Sequence, residues 1–422
     1  MPKTIYDVFT PRMHRVNDSM YINRAKHEKD LREALKGHRH IILRGDSGCG
    51  KTWLYKKLFQ TDDIYHIAVN LASAQKTALG SIRAAIKNAI DRDGELSLTE
   101  VEEGKSGGLT APFASAELHN TKKYGVGQKE PYEMALAHIR TKAKKRNAVL
   151  VLDNLEMIFS DEAIMQELAG LIILVDDEHY AKYNVKLLLV GTSAGIRDYF
   201  SKTPERSSVA NRLIEIPEVY RMTEDEAQGL IKRGFEDELN IIIRETQKAK
   251  ILKYISWVTH RIPQSLHEYC LELAKIGEPV SEVFTEQLQD CDKAWLSDSL
   301  SNSYSITEGF MNERETKIGR RNQILYALSK VEAEEFRSTD IEDIVRREFG
   351  ESTIEKTLNI GGMMSEMATD DSPILRRTPK GDAFMFKDPK FRLCVRAMLR
   401  LNPNDKTVFR IPISDLNSSV IK

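Results

Sequence analysis

Short apolar runs alternate with longer amphipathic segments from about residue 28 to residue 220. The runs are HIILRG at 40–45, IYHIAVNLA at 64–72, AVLVLDN at 148–154, KLLLVGTS at 186–193 and the shorter LIEIPE at 213–218. Because Val, Ile and Leu follow one another without polar alternation, each run is typical of a strand that is buried on both faces. Helical patterns lie between the runs. Residues 1–220 therefore predict an α/β domain in which helices cover both faces of a parallel sheet.

One segment interrupts this alternation. Residues 94–130 are polar, contain several glycines and show no sustained period. A loop of this length inside a compact domain is usually functional or disordered. We expect a mobile insertion, and the sequence leaves open whether it binds a partner.

The rest of the chain has mainly helical periodicity. Residues 221–300 predict a helical lid domain, whose first helix opens with Thr223 three residues before Glu226, the spacing of a capping box. In residues 301–422, the helical segments RRNQILYALSK, TDIEDIVRREFG and STIEKTLNIGGMMSEMA precede the hairpin ILRRTPKGDAFMFKD. Three helices followed by a hairpin predict a winged-helix domain.

Composition narrows the class of protein. The 62 Lys and Arg residues nearly balance 63 Asp and Glu, so no global charge draws the chain to nucleic acid or to a membrane. No run approaches the 18 apolar residues of a membrane span, and the N-terminus lacks the apolar core of a signal peptide. The four cysteines are far apart, which argues against a zinc site or a disulfide framework: Cys49, Cys270, Cys291 and Cys394. We expect a soluble cytoplasmic protein without membrane contact.

The strand at 40–45 runs directly into a glycine-rich loop. Its sequence, GDSGCGKT, matches the P-loop pattern G-x-x-x-x-G-K-[ST]. Glycines allow backbone N–H groups to surround phosphates, Lys51 would reach the β- and γ-phosphates, and the Thr52 hydroxyl would coordinate magnesium. The sequence therefore predicts binding of ATP or ADP with Mg²⁺ by the eight loop residues: Gly45, Asp46, Ser47, Gly48, Cys49, Gly50, Lys51 and Thr52.

A P-loop needs a carboxylate at the end of another strand to hold magnesium. AVLVLD ends in Asp153, which we assign to that role. The next residue, Asn154, cannot accept a proton at neutral pH. Glu156 could orient the attacking water, or it could be a solvated loop residue. If it is not the general base, turnover should be slow and the protein should act as a nucleotide-state switch.

With these motifs in place, most of residues 18–400 resembles the AAA+ superfamily and its STAND relatives, particularly origin-recognition-like and prokaryotic winged-helix ATPases. The segment YINRAKHEKDLREAL is similar to the stretch ahead of the P-loop in these families, although Asn23 replaces their usual glycine. The resemblance implies that Tyr21, Ile22 and Arg24 lie near the adenine. The alternative is an ordinary helix N-terminus.

The resemblance also implies two residues near the γ-phosphate. Thr192, followed by Ser193, stands where sensor 1 ends the fourth strand, with helix capping as the alternative role. Arg212 precedes the fifth strand, where AAA+ proteins place an arginine finger that enters a neighbouring subunit. Arg206 and Arg197 are rival candidates. A finger would imply a homo-oligomeric ring or filament in the ATP state.

The sensor-2 stretch departs from the family pattern. In THRIPQSLHEYCLELAK, Pro263 fits, but Gln264 stands where the arginine is expected, and Arg261 is a possible substitute. The missing arginine favours the STAND side of the superfamily.

The C-terminal segment FMFKDPKFRLCVRAML resembles the last wing strand and helix of STAND winged-helix modules. Residues 371–410 contain ten Lys and Arg residues and four aspartates, a net charge of +6 (10 − 4), so a basic wing over 374–400 could contact DNA. The presumed recognition helix, STIEKTLNIGGMMSEMA, is a poor base reader because it has one lysine and no arginine. Non-specific DNA contact and protein contact both remain open.

These features predict an ATPase that works as a regulatory switch, with hydrolysis resetting self-assembly or partner binding. The alternative is a DNA-bound initiator or loader of the origin-recognition type that uses the basic wing. A separate catalytic effector domain is not indicated, because the sequence contains no H-E-x-x-H motif and no nuclease-like acidic cluster.

Overall fold

The computed structural model describes residues 3–93, 130–191, 207–297, 300–312, 319–378 and 381–413. The chain divides into two compact units. The sheet unit comprises His14–Val16 and Asn23–Tyr220, and the helical unit comprises Met1–Met13, Asn17–Ile22 and Arg221–Lys422. Residues 94–129 of the expected insertion lie outside the described ranges. The division of residues 221–422 into a lid and a winged helix stays a prediction.

A five-stranded parallel sheet forms the centre of the sheet unit, as the sequence predicted. Its strands are β1 (His40–Arg44), β2 (Tyr65–Asn70), β3 (Ala148–Asp153), β4 (Lys186–Gly191) and β5 (Leu213–Glu215), in the order β2-β3-β4-β1-β5. Arg44 is in register with Gly191, and Asn70 with Asp153. Because all neighbouring strands are parallel, their carboxyl ends share one edge of the sheet.

Helices cover both faces of this sheet. After the short helix α1 (Ile5–Val8) of the helical unit come α2 (Ala25–Lys36), α3 (Lys51–Thr61), α4 (Ile82–Asp91), α5 (Pro131–Ala143), α6 (Glu162–Leu174), α7 (Glu178–Ala181) and α8 (Ser207–Asn211). Along β1, Ile42 packs into one hydrophobic cluster, whereas Ile41 and Leu43 pack into the other. This two-sided burial explains the unbroken apolar runs in the sequence.

Among its described residues, the helical unit contains α1 and ten further α-helices: α9 (Glu224–Lys232), α10 (Lys248–Val258), α11 (Pro263–Gly277), α12 (Leu288–Ser297), α13 (Leu300–Gly309), α14 (Arg320–Lys330), α15 (Ser338–Glu348), α16 (Gly350–Thr353), α17 (Ile360–Thr369) and α18 (Pro389–Met398). Three two-stranded sheets accompany them: β6 (Ile242–Ile243) with β7 (Glu282–Val283), β8 (Leu375–Arg377) with β9 (Phe384–Phe386), and β10 (Leu399–Leu401) with β11 (Val408–Arg410). The predicted capping box is confirmed, because Thr223 and Glu226 bond each other's backbone N–H. Within the described ranges, no helix combines the length and apolar character needed to cross a bilayer.

The helix predicted over STIEKTLNIGGMMSEMA is interrupted. Glu355 and Asn359 have φ angles of 54° and 51°, in the left-handed region that helices do not continue through. The structure therefore ends α16 at Thr353 and begins α17 at Ile360.

The N-terminal segment packs within the helical unit, a placement that the alternating pattern did not predict. The Phe9 ring lies 5.0 Å from that of Phe235, and the backbone N–H of Thr10 donates to Nδ1 of His267 at 3.1 Å. A Cβ added at Gly234 would overlap the Phe9 ring, so this close approach requires glycine.

Candidate functional site

The P-loop lies between β1 and α3, at the carboxyl edge of the sheet. Gly48 and Gly50 have φ angles of 78° and 87°, where residues with a side chain are strained. Gly45 is needed for a different reason, since a Cβ there would overlap the carbonyl oxygen of Val219. The loop conformation thus accounts for three of its glycines.

The side chain of Lys51 makes its contacts within the loop itself. Cys49 is buried beneath the loop, whereas Ser47 is exposed. Lys51 Nζ donates to the carbonyl oxygens of Gly45 at 2.7 Å and of Asp46 at 2.9 Å. Burial lowers the pKa of Lys51, and neighbouring acidic groups act in the opposite direction. Lys51 also begins α3, so the positive end of the helix faces the loop.

The end of β3 carries the acidic partner. Burial raises the pKa of Asp153, while the backbone N–H of Asn154, which donates to Oδ1 at 2.8 Å, and the charge of Lys51 lower it. Tyr55 of α3 directs its hydroxyl at Oδ2 of Asp153, 3.5 Å away. Burial raises the pKa of Tyr55, so this hydroxyl remains a proton donor at ordinary pH.

Asn154 joins two strands at this edge. It has a φ angle of 61°, and its Nδ2 donates to Oδ1 of Asn70, at the end of β2, at 2.9 Å. Left-handed backbone is tolerated better by asparagine than by most residues. This turn leads into a 3₁₀ helix, Leu155–Met157, that carries Glu156.

Glu156 lies close to the end of β4. A Cβ added at Gly191, the last residue of β4, would lie 3.2 Å from Glu156 Oε2. The charge of Glu156 also raises the pKa of both Lys51 and Asp153. The sheet unit therefore brings Lys51, Asp153 and Glu156 together at one edge.

The oxygen atoms here suit magnesium. The Thr52 hydroxyl and the Asp153 carboxylate are hard donors of the kind that Mg²⁺ prefers. No group of three His, Cys, Asp or Glu side chains in the described part of the chain could hold a metal by itself. Because Mg²⁺ in phosphate sites needs only one or two protein ligands beside phosphate and water, the residues present fit that ion.

Arg212 lies at the opposite edge of the sheet. It precedes β5, and its carbonyl oxygen accepts the backbone N–H of His40, the first residue of β1. Its Nε is 3.0 Å from Oδ2 of Asp176, and Nη1 donates to the carbonyl of Ser208. Thr192, Ser193, Arg197 and Arg206 lie outside the described residues.

The residues expected near the adenine are divided between the units. Tyr21 and Ile22 belong to the helical unit, where the Tyr21 carbonyl accepts from Arg233 Nη1 at 2.8 Å. Arg24 belongs to the sheet unit and donates from Nη2 to the Tyr220 carbonyl at 2.7 Å. Their adenine-binding role stays a prediction.

The sensor-2 candidates are bonded within the helical unit. Arg261 Nη1 lies 2.6 Å from Glu334 and 3.3 Å from Glu224. Gln264, in the first turn of α11 after Pro263, donates to Glu268 at 2.9 Å. A sensor role for Arg261 would require it to leave both carboxylates.

Sequence reasoning missed Tyr55 and Asn70. A usable signal existed for each, since Asn70 ends a predicted strand and Tyr55 lies one helical turn beyond Thr52. Neither residue belongs to the P-loop pattern, so the motif alone did not identify them.

Comparisons with known proteins agree with this geometry. Residues 32–200 match the family model described as "AAA domain". A search of curated proteins found no match. The fold is similar to that of a Walker-type ATPase of Pyrococcus abyssi, with a TM-score of 0.55, 14% identity, and coverage of 92% of this chain and 99% of that one.

Two further solved structures are less similar. The Orc1 protein of Aeropyrum pernix, solved in complex with DNA, has a TM-score of 0.47 and 15% identity, covering 93% of this chain and 95% of its own. The Cdc6p protein of Pyrobaculum aerophilum has a TM-score of 0.45 and 14% identity, covering 92% and 96%. The family match over residues 32–200 agrees with the five-stranded parallel sheet and its P-loop, which have the fold of a P-loop nucleotide-binding domain.

Proposed function

We propose that this protein binds and hydrolyses ATP as a molecular switch of the AAA+/STAND type, whose nucleotide state controls self-assembly or engagement of a protein partner. The observation that carries this proposal is the convergence of Lys51, Asp153 and Glu156 beside the P-loop. A loop that merely joined a strand to a helix would not need a half-buried lysine that bonds the carbonyl oxygens of its own loop and feels the charges of Asp153 and Glu156.

Each residue has a distinct task in this reaction. Backbone N–H groups of the loop and the Lys51 ammonium would bind the phosphates. Thr52 and Asp153 would hold Mg²⁺, and the bound ion would neutralise part of the charge on the phosphates. Glu156 would accept a hydrogen bond from the attacking water and orient it.

The environment of Asn154 supports slow turnover. Its amide cannot act as a base, and its Nδ2 is bonded to Asn70. We therefore assign the orienting of water at the end of β3 to Glu156. A site with a single carboxylate, carried on the 3₁₀ helix that follows β3, would hydrolyse ATP slowly. Slow hydrolysis suits a switch that keeps its ATP state for some time.

The basic segment gives weak support to a DNA-binding role. Most of the Lys and Arg residues of 371–410 that the structure describes are bonded internally. Arg377 donates to Ser365, Lys390 lies 3.8 Å from Glu268, Arg392 donates to Ala333, Arg396 to Ser329 and Val331, Arg400 to carbonyls at the end of α18, and Arg410 pairs with Glu308. Arg392, for example, is fully buried. The sequence total of +6 therefore overstates the charge that this segment offers to phosphates.

Helix α17 also lacks the features of a DNA reader. Met364 and Met367 are buried in the core, so neither is available to contact a base edge. The exposed Glu366 pairs with Arg321 at 2.5 Å. Because the sequence of α17, Ile360–Thr369, contains no lysine or arginine, this helix offers no cation to a phosphate backbone.

Calorimetry and turnover assays on the full chain test this proposal. We expect magnesium-dependent binding of ATP and ADP, and an ATPase rate that changes less than about twofold when duplex DNA is added at two salt concentrations. The absence of any magnesium-dependent nucleotide affinity in folded protein would overturn the proposal. Strong, salt-sensitive stimulation by DNA would instead favour the initiator or loader.

Arg212 lies too far from the P-loop of its own subunit to act there. A catalytic role would therefore be at the nucleotide of a neighbouring subunit. Arg212 lies one strand length, roughly 16 Å, from the carboxyl edge that carries the P-loop. It therefore cannot reach the nucleotide of its own subunit. A finger that enters a neighbouring subunit would have to exchange Asp176 for the γ-phosphate.

We expect Arg212→Ala to lower turnover about a thousandfold, the usual contribution of an arginine finger. Mixing it with an inactive Lys51→Ala protein should restore part of the activity, because some interfaces then combine an intact P-loop with an intact Arg212. Arg32→Ala, which removes another ion-paired arginine, is the control and should remain active. Mixed assemblies that stay inactive after co-assembly is demonstrated would reject the shared site.

A further inference from the structure

Tyr55 is a buried polar residue that the P-loop pattern does not explain. Its side chain is 1% exposed, and it belongs to the hydrophobic cluster between α3 and the sheet. The hydroxyl faces Asp153 Oδ2 at 3.5 Å. A phenylalanine would fill the same apolar site without carrying a polar atom inward.

From this placement, and resting on the proposed function, we propose that Tyr55 is a positioning residue that orients the Asp153 carboxylate for Mg²⁺. The buried hydroxyl needs an acceptor, because burying a hydroxyl without a hydrogen bond is unfavourable. Asp153 is the acceptor that lies within reach. The tyrosine and the carboxylate therefore constrain each other.

The ring has little freedom to move the hydroxyl elsewhere. Its centroid lies 5.6 Å from that of Phe59 in a tilted pair and 6.1 Å from that of His66 in an edge-on pair. Both neighbours belong to regular elements, Phe59 to α3 and His66 to β2. The position of the hydroxyl is thus set by the helix and the sheet rather than by a loop.

The carboxylate is held from two directions. Asn154 donates its backbone N–H to Oδ1 at 2.8 Å, and Tyr55 faces Oδ2. A separation of 3.5 Å is long for an O–H···O bond, so Tyr55 sets the orientation of the carboxylate rather than binding it tightly. Groups that orient a metal ligand in this way commonly contribute about 10- to 100-fold to metal affinity.

A purely structural role for the hydroxyl has different consequences. If Tyr55 only stabilised α3 against the sheet, its removal would shift the melting temperature and would affect nucleotide binding equally with and without magnesium. A positioning role affects the magnesium-dependent part alone. The two roles are therefore separable in one titration.

The experiment uses the full chain with Tyr55→Phe. Calorimetry would measure ADP binding in excess EDTA, and Mg²⁺ binding to the protein saturated with ADP. A parallel titration with Mn²⁺ would be followed by electron paramagnetic resonance. We expect Mg²⁺ and Mn²⁺ affinities to fall about tenfold, near the lower limit for such groups because the contact is long, with ADP affinity in EDTA unchanged.

Tyr132→Phe is the matched control. Tyr132 is also fully buried in the sheet unit, but its hydroxyl donates to the Leu171 carbonyl at 3.2 Å rather than to a site residue. Its metal affinities should equal those of the wild type. Unchanged metal affinity in Tyr55→Phe, or an equal loss of ADP affinity in EDTA, would overturn the inference while the proposed function stands. A wild-type protein that shows no magnesium-dependent nucleotide binding would instead overturn the proposed function itself.

Discussion

Lys51→Ala is expected to weaken binding of magnesium-ATP at least about 100-fold and to abolish measurable hydrolysis. A 100-fold loss corresponds to about 2.7 kcal/mol, close to the value of one or two charge-assisted hydrogen bonds. In the structure the ammonium bonds the carbonyl oxygens of Gly45 and Asp46, which belong to the same loop. A bound triphosphate would offer it oxygens with far more negative charge. Isothermal calorimetry and a phosphate-release assay would measure both effects.

The control for this variant is Lys36→Ala. Lys36 is exposed in the last turn of α2 and pairs only with Glu33, three residues earlier. Its removal changes the net charge equally but should leave nucleotide affinity unchanged. Thermal melting of both variants would show whether the two loop carbonyls that lose their donor destabilise the fold. Wild-type affinity in a folded Lys51→Ala protein would contradict the phosphate role.

The sheet could be predicted because its strands are buried on both faces. Residues such as Ile41, Ile42 and Leu43 must all be apolar when successive side chains enter opposite cores. The P-loop could be predicted as well, since Gly48 and Gly50 occupy backbone conformations that other residues reach only with strain. In both cases the local structure, through burial or backbone conformation, restricts which residue types can occupy a position.

Long-range packing left no comparable signal. Phe9 is an apolar residue near the N-terminus, and nothing local indicates that it packs against Phe235 in the helical unit. Tyr55 and Asp153 are likewise distant in sequence, and only the fold brings them within 3.5 Å. Such contacts depend on the topology of the whole chain, which cannot be inferred from the spacing of apolar and polar residues.

Charge was the least predictable feature. The sequence shows how many basic residues follow Asp371 but not which way they point. Arg392 and Arg396 both lie over the ring of Trp257, with guanidinium carbons 4.7 and 4.5 Å from its centroid. Their charges therefore serve internal packing, and a count of lysines and arginines overestimates the surface that nucleic acid could contact.

Glu156→Gln is expected to lower the turnover number between about 100- and 1000-fold and to leave the affinity for magnesium-ATP within about threefold of the wild type. General-base catalysis contributes roughly 10²–10⁴-fold. The glutamine amide keeps the size and shape of the side chain but cannot take up a proton at neutral pH. Single-turnover hydrolysis, measured beside equilibrium binding, would separate the two quantities. Glu162→Gln is a suitable control, since Glu162 is an exposed residue in the first turn of α6.

Asn154→Ala completes this test because Asn154 occupies the position where many such enzymes have their acid. If Glu156 orients the water, Asn154→Ala should affect turnover only through the lost bond to Asn70 and the strain of alanine at a φ of 61°, by about tenfold or less. A larger loss in Asn154→Ala than in Glu156→Gln would transfer the main catalytic role to the amide. Unchanged turnover in Glu156→Gln would exclude a base at the end of β3, because the proposal assigns Asp153 to the metal. The protein would then rely on phosphate positioning alone, and its ATP state would be correspondingly long-lived.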